Sequence, residues 1–210
     1  MIYEVRTYDL KPATMAEVEQ RYAEAYEHRK KYSALAAAWH TEIGPLNQLI
    51  TVWPYKDLAE RERICAAAQN DPDCSPKIRD SVLALRSEIV IHAPVAPELK
   101  PVKMGPFFEM RTYSLPLGEI PLVLDNWGRA LAKRVEISPV ATIWYSEIGG
   151  LNKWTHIWAY ESLNQRAEMR AKARSVWPPS AMAKQAGRPG ETFLAQENKI
   201  LMPSAFSPIQ

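Results

Sequence analysis

The amino-acid sequence predicts an α+β fold made of two tandem β-α-β-β-α-β units, the ferredoxin-like split βαβ arrangement. The residues from Ile2 to Tyr8 return in closely similar form from Phe107 to Tyr113, at an offset of 105 positions. Within each copy the apolar residues follow a period of two, then about 3.6, then two again, as strands and helices require. A chain of 210 residues can hold two such units of roughly 100 residues each.

The repeat extends well beyond the first strand. Residues 39–47 return as residues 144–152 at the same offset. Further along, Glu88 matches Glu197 at a larger offset, so the second copy carries a few inserted residues. Prolines cluster between the copies, which favours an extended, semi-rigid spacer. We therefore divide the chain into a first repeat over residues 1–93, a proline-rich linker over 94–106 and a second repeat over 107–210.

Each element of the first copy is predicted from its own local pattern. Thr14 followed by Glu17 has the spacing of a capping box that begins a helix. Asp57 is a typical N-cap for the second helix, and Ser162 takes the same place in the second copy. Gly44 opens a four-residue turn that joins two strands into a hairpin. The predicted elements are a strand over 2–9, a helix over 14–32, strands over 36–43 and 48–54, a helix over 57–69, a further helical stretch after residue 76 and a strand over 87–92.

Composition and charge exclude several function classes. The 26 Lys and Arg residues against 24 Asp and Glu residues leave a net charge of +2. A protein that binds nucleic acid or a membrane surface needs a concentrated basic patch, so we expect neither partner. No uncharged run approaches the ~20 residues of a bilayer span, and the chain opens on a strand pattern rather than a signal peptide. Cys65 and Cys74 are expected to be reduced thiols in a cytoplasmic protein.

Two long motifs resemble the NIPSNAP family. They are I-Y-E-V-R-T-Y-x-L-K-P over residues 2–12 and T-E-I-G-P-L-N-Q-x-x-x-V-W-x-Y-x-x-L-x-x-R over residues 41–61. The resemblance implies a dimeric α+β barrel, in which two four-stranded sheets close face to face with helices outside. Here the two repeats supply both halves from one chain, and we expect them to be related by a pseudo-twofold axis. The resemblance implies no catalytic set that can be carried over.

The hairpins gather polar side chains on one sheet face. A turn over residues 44–47 pairs Glu42 with Leu49 and His40 with Thr51, and paired residues share a face. We expect this mixed face to line the barrel as a small-molecule pocket. The opposite face, with Trp39, Ile50, Val52, Trp144 and Ile157, is expected to pack on helices. A shift of one residue in the turn would exchange the two faces.

The second hairpin is the stronger candidate site, because it gains aromatic area and a titratable group relative to the first: His40 becomes Tyr145, and Thr51 becomes His156. His156 and Glu147 are the candidate catalytic residues, since a histidine near a carboxylate titrates close to neutrality. Arg6 and Arg111 could bind a carboxylate in bidentate fashion. The candidate ligand-binding residues are Tyr145, Trp154, Trp158, Arg6, Arg111 and Glu42.

Structural roles remain open alternatives for these residues. Glu4 with Arg6, and Glu109 with Arg111, occur in both copies, as expected of ion pairs that lock the sheets. Glu42 lies beside a tight turn that it could stabilise. The histidine could be a hydrogen-bonded wall residue, and the indoles could simply fill the core.

Two function classes follow from these residues. The first is a barrel that binds a small hydrophobic or aromatic ligand without catalysis. The alternative is a cofactor-independent, monooxygenase-like enzyme acting on an aromatic or hydrophobic substrate. The sequence contains no HxH, HExxH, GxGxxG, P-loop or GxSxG pattern, so we expect no metal and no cofactor. Edge strands left open by incomplete barrel closure would favour a homo-oligomer.

Overall fold

The computed structural model describes residues 1–175 and 177–210. The described residues form two β-α-β-β-α-β units, with an additional short helix in the second unit. The elements are β1 (Ile2–Leu10), α1 (Met15–Arg29), β2 (Ala37–Ile43), β3 (Gln48–Tyr55), α2 (Leu58–Gln69), β4 (Val82–His92), β5 (Phe107–Ser114), α3 (Ile120–Val135), β6 (Val140–Ile148), β7 (Lys153–Tyr160), α4 (Leu163–Ala173), α5 (Pro179–Gln185) and β8 (Ala195–Pro203).

The strands form one closed antiparallel barrel in the order β1-β3-β2-β8-β5-β7-β6-β4. The first repeat contributes the sheet β4-β1-β3-β2, and the second contributes β8-β5-β7-β6. The two sheets join where β2 pairs with β8 and where β4 pairs with β6. Exchanging the two repeats leaves this cyclic order unchanged. The predicted fold class, with two ferredoxin-like sheets closing one barrel, is therefore confirmed.

Local signals located most helix starts correctly. The side chain of Asp57 accepts a hydrogen bond from Glu60 N at 2.8 Å, and that of Ser162 accepts one from Gln165 N at 3.0 Å. The predicted capping box at Thr14 is wrong, because the Thr14 hydroxyl donates to the Lys11 carbonyl instead of capping α1. The capping signal thus marked the helix start but not its hydrogen bonding.

The last strand of the first repeat is longer than its sequence pattern indicates. A helical stretch was predicted after residue 76, but only a single 3₁₀ turn forms at Arg79–Ser81. Strand β4 then begins at Val82 and pairs with β1 along almost its whole length. Tertiary pairing with a full-length neighbour therefore extends β4 through five residues that the local pattern did not identify as strand.

The sheet faces are opposite to those predicted. In the first hairpin His40 pairs with Leu49 and Ala38 with Thr51, two residues out of the predicted register. A shift of two leaves the same residues together on each face. The face with Glu4, Arg6 and His156 nevertheless lies on the outside, under the helices. The apolar face forms the barrel interior, with Tyr3, Val5, Trp39, Ile50, Val52, Val90, Phe108, Met110, Trp144, Ile157 and Leu201.

An eight-stranded barrel has an interior just wide enough for side chains to fill, which explains why the apolar face lies inside. The linker and the C-terminus close one end of this interior. Leu99 and Ile209 pack into its core, and Met104 N donates to the carbonyl of Gln210 at 2.5 Å. At the other end the interior opens into a cavity of about 320 Å³.

Candidate functional site

A buried ionic cluster lies on the outer face of the second sheet, between the sheet and α4. The carboxylate of Glu109 is fully buried and pairs with Arg111 at 2.9 Å and with Arg170 at 3.2 Å. Arg166 donates to the same carboxylate oxygen. Burial by itself would raise the pKa of Glu109, but the hydrogen bond from Arg166 and the nearby guanidinium charges lower that pKa to about 2. Glu109 is therefore a permanent anion that holds three arginines in place.

The local structure explains why these groups meet. Glu109, Arg111 and Tyr113 are alternate residues of β5, so their side chains share its outer face. Arg166 and Arg170 are four residues apart on α4 and therefore lie on one side of that helix. A β-strand and an amphipathic helix packed against it thus bring one carboxylate and three guanidinium groups together.

His156 is almost completely buried beside this cluster, with 2% of its surface exposed. The indole Nε1–H of Trp158 donates to His156 Nδ1. Because an indole nitrogen can only donate, Nδ1 is the acceptor and a neutral His156 carries its proton on Nε2. Among the described residues Nε2 has no hydrogen-bond partner. His156 therefore holds one buried donor group that no described residue accepts from.

Burial, followed by the positive charges of Arg111 and Arg134, lowers the pKa of His156 well below its usual value. The imidazole is neutral at pH 7, so the sequence-based prediction of titration near neutrality is wrong. A carboxylate close to the ring would have been needed to stabilise the imidazolium. Glu109 acts in that direction, but burial and the surrounding guanidinium groups outweigh it.

Arg134 is a second buried polar residue beside the ionic cluster. Only 4% of its surface is exposed, and its guanidinium lies over the ring of Trp158, 4.1 Å from the ring centroid. It donates to the hydroxyl of Ser138 at 2.6 Å, and within the described chain it forms no ion pair. A buried cation is costly unless an anion compensates it. Arg134 therefore presents a positive charge that no described carboxylate neutralises directly.

These groups surround a cleft of about 170 Å³. Four guanidinium groups line it, and no carboxylate lies among its described lining residues. Aromatic rings form the remaining walls. Trp127 packs against both the imidazole of His156, at 4.7 Å between ring centroids, and the indole of Trp177, at 4.6 Å. We call this space the second-repeat cleft; its lining includes Arg111, Tyr113, Arg134, His156, Trp158, Arg170 and Arg174.

Comparison with known proteins agrees with the two-repeat architecture. The family model described as NIPSNAP matches residues 3–97 and 108–208. The chain belongs to the NIPSNAP family. It is 29% identical over 218 residues to Protein NipSnap homolog 3A from Homo sapiens, an alignment that covers 100% of this chain and 86% of that protein. The resemblance inferred from the two sequence motifs is thus confirmed.

Several solved structures resemble this NIPSNAP chain over nearly its whole length. The putative monooxygenase from Lactobacillus acidophilus NCFM matches with a TM-score of 0.65 and 11% identity, covering 97% of this chain and 94% of that one. An anthrone oxidase-like protein matches with a TM-score of 0.57 and 8% identity, covering 96% and 90%. At these identities the likeness shows a shared barrel fold and nothing about chemistry.

The NIPSNAP chain brings part of the predicted site together. Trp154 and Trp158 are fully buried in the same aromatic cluster, and Arg111 lies beside His156 at the cleft. Tyr145 is half-buried at the edge of this cluster. The site prediction for the second hairpin therefore placed these side chains on one face, although that face covers the outside of the barrel.

Three predicted site residues lie elsewhere. Glu147 is exposed near the end of β6, four residues beyond the partner of His156, which places it roughly 13 Å away along the strand. The predicted pairing of His156 with Glu147 is therefore wrong. Glu42 is exposed at the edge of the first hairpin, and Arg6 belongs to the first repeat.

Sequence reasoning missed Arg134, Arg170 and Trp177, which line the second-repeat cleft. It also missed Trp127, which packs on two of the lining rings, those of His156 and Trp177. A signal for one of them was available. Arg134 occupies the position of Arg29 at the offset of 105, and the helical period places Arg29 on the same face as the apolar Val18, Tyr22, Ala25 and Tyr26. An arginine repeated at a buried helical position indicates a role beyond solubility.

The cavity at the open end of the barrel is chemically different. Two of its charged side chains form ion pairs: Lys153 pairs with Glu88 at 3.0 Å and Arg86 with Asp9 at 2.7 Å. Lys199 donates to the side-chain oxygen of Gln48 at 2.7 Å. Within the described residues, no cluster of His, Cys, Asp and Glu could hold a metal ion, and both cysteines are free. No described helix has the length and apolar character to cross a bilayer.

Proposed function

We propose that the second-repeat cleft binds a small aromatic anion, such as an aromatic carboxylate or phenolate. One observation carries the proposal: the unused Nε2–H of His156 and the uncompensated guanidinium of Arg134 line the same aromatic cleft. Both groups are buried without an anionic partner among the described residues, and a bound anion would supply one.

The chemistry of the cleft suits this ligand class. A guanidinium offers a planar pair of donors that matches the two oxygens of a carboxylate. Arg111 and Arg134 provide that charge, and the neutral His156 adds a donor that does not depend on pH near neutrality. The indole of Trp158 supplies an apolar wall for an aromatic ring. A volume of about 170 Å³ limits the ligand to one ring with small substituents.

The test is isothermal titration calorimetry with benzoate, with benzamide as the neutral isostere. Arg134→Met keeps the unbranched stem over Trp158 and removes the charge. We expect it to weaken benzoate binding by at least about tenfold, because one charge-assisted hydrogen bond is worth more than 1.4 kcal/mol.

Arg129→Met is the matched control, since Arg129 is exposed on the same helix and pairs with Asp125. It changes the net charge equally but does not line the cleft. Equal losses in the two variants, or equal binding of benzoate and benzamide, would contradict the proposal. Absence of any benzoate binding would do the same.

A second candidate is cofactor-independent oxygenation of the bound anion. The barrel likeness to proteins described as a putative monooxygenase and an anthrone oxidase-like protein supports it at the level of fold. In such a reaction one atom of O₂ enters the substrate as C=O in place of the two hydrogens of a CH₂ group. The other atom leaves with those hydrogens as water, so that the substrate supplies the electrons. His156 would donate from Nε2 to the developing oxyanion.

Oxygen uptake with phenylpyruvate, a one-ring anion that carries an acidic CH₂ group, separates the two candidates. Catalysis predicts uptake that falls by at least about tenfold in His156→Leu, with bound benzoate acting as a competitive inhibitor. Benzoate binding without any oxygen uptake would leave the binding function alone.

A further inference from the structure

The first repeat contains the same side-chain frame as the second-repeat cleft. Seven residues at the offset of 105 are identical in type. They are Glu4, Arg6, Tyr8, Arg29, Trp53, Tyr55 and Arg61, which correspond to Glu109, Arg111, Tyr113, Arg134, Trp158, Tyr160 and Arg166. Simple maintenance of a hydrophobic core would not require three arginines and a glutamate to recur at a helix–sheet interface.

The contacts recur together with the residues. Glu4 is fully buried and pairs with Arg6 at 2.9 Å and with Arg61 at 2.6 Å. The guanidinium of Arg29 lies over the ring of Trp53, 4.6 Å from the centroid. Within the described chain Arg29 forms no ion pair, as is also true of Arg134. Both repeats therefore present a guanidinium stacked on an indole without a described carboxylate partner.

An open space lies over this frame in the first repeat as well. The cleft there measures about 570 Å³, against about 170 Å³ in the second repeat. Arg6, Tyr8 and Arg29 line it, together with Cys65 and Ala68. The space is larger partly because the smaller Cys65 lines it at the position where Arg170 lines the second-repeat cleft.

The first-repeat cleft is also less positively charged than the second-repeat cleft. Asp71 lines the first-repeat cleft, whereas no described carboxylate lines the second. Cys65 and Gln69 also stand where Arg170 and Arg174 stand in the second repeat. The first-repeat cleft is therefore wider and less positive, but it retains the stacked arginine.

We propose that the first-repeat cleft is a second ligand site, which takes a larger aromatic monoanion than the second-repeat cleft does. Recognition would use an arginine stacked on an indole, beside an arginine that pairs with a buried glutamate. This proposal rests on the function proposed for the second-repeat cleft. The volumes predict that a two-ring carboxylate enters only the first cleft. One chain then carries two sites of different size selectivity.

Titration calorimetry with naphthoate and with benzoate tests this inference on the full-length protein. We expect naphthoate to bind at one site per chain, and Arg29→Met to weaken it by at least about tenfold, because a charge-assisted hydrogen bond is lost. Arg134→Met, the matched control, should leave naphthoate binding unchanged. For benzoate binding to the second-repeat cleft we expect the reverse: Arg134→Met should weaken it, and Arg29→Met should leave it unchanged.

A second pair of variants guards against unfolding by the arginine substitutions. Ala68 lines the first cleft and Ala173 lines the second, at equivalent positions. Ala68→Met should extend into the first cleft and weaken naphthoate binding, whereas Ala173→Met should not. Circular dichroism would confirm that each variant is folded.

The outcomes separate the two proposals. If naphthoate fails to bind, or binds equally well to wild type, Arg29→Met and Ala68→Met, the inference is overturned while benzoate binding can still support the second-repeat site. If Arg134→Met abolishes binding of both ligands, a single site exists and the inference is also overturned. If benzoate fails to bind but naphthoate depends on Arg29, the first site stands and the proposed function of the second cleft fails.

Discussion

At the scale of single residues, two buried carboxylates determine how stability depends on pH. Each of Glu4 and Glu109 is surrounded by guanidinium groups that, against the effect of burial, lower its pKa from 4.5 to about 2. A depressed folded-state pKa contributes stability that is fully present above the unfolded-state pKa and is lost as the pH falls towards the folded-state value. The stability contribution is therefore lost over a pH range whose upper limit is the ordinary carboxyl pKa of the unfolded chain.

We therefore expect the free energy of unfolding to stay level above about pH 5 and to fall between about pH 4.5 and 2, by roughly 3 kcal/mol for each carboxylate. Urea denaturation at a series of pH values measures this. Glu109→Gln should reduce the total decrease by roughly 3 kcal/mol, whereas Glu147→Gln, at an exposed position, should not alter it. A pH profile that is the same in both variants would refute the assignment.

Removing the charge of Arg134, unlike removing that of Glu109, is not expected to lower the free energy of unfolding much. Since no described carboxylate compensates its buried charge, replacing it by methionine relieves a desolvation cost while losing a hydrogen bond to Ser138 and a cation–π contact. We expect the unfolding free energy of Arg134→Met to lie within about 1 kcal/mol of wild type, or above it. Differential scanning calorimetry measures this, and a loss of more than about 3 kcal/mol would show that the arginine has a structural role instead.

At the scale of elements, the hairpins depend on asparagines in the left-handed backbone region. Asn47 and Asn152 both have φ of 57°, and their carbonyls accept hydrogen bonds at 2.8 Å from Leu10 N and Leu115 N. The hairpin turn predicted from the sequence thus also ties each hairpin to the end of the first strand of its repeat. Asparagine tolerates this backbone conformation better than most residues do.

Asn47→Ala should therefore lower the free energy of unfolding by about 1–2 kcal/mol, because alanine is disfavoured at positive φ. Asn47→Gly, which has no Cβ, should cost much less. Chemical denaturation of the two variants checks this. Equal costs would indicate that the asparagine side chain, rather than the backbone conformation, stabilises the turn.

At the scale of the whole molecule, closure of the barrel from one chain is the dominant feature. The β2–β8 and β4–β6 pairings leave no open edge among the described strands of the barrel. Open edge strands were the physical basis for expecting a homo-oligomer, and the described barrel removes that basis. Self-association therefore stays a prediction that only light scattering in solution can test.

Closure also predicts how the two repeats behave when the chain is cut. A protease site inserted beside the exposed Glu98 would break the linker between β4 and β5. The two pieces should still elute together at the mass of the intact chain, because the barrel interior is buried between them and two strand pairings join them. Separation of the pieces under native conditions would show that each sheet is stable without the other.

The sequence by itself determined the repeat, the β-α-β-β-α-β order of each unit, the positions of both hairpins and the grouping of Arg111 and His156 with Trp154 and Trp158. These properties follow from periodicity and internal duplication, which are local or one-dimensional signals. Sequence also indicated the family, through long motifs in the first repeat.

The tertiary structure alone decided which face of each sheet lies inside, how far Glu147 lies from His156, and which arginines lack a carboxylate partner. Strand alternation shows which residues share a face, but not which layer covers that face. Here both faces are buried, one in the barrel interior and one under helices, so hydrophobicity could not distinguish them. The cleft draws Arg134 and Arg170 from two helices, and only the packing of those helices on the sheet brings them to His156.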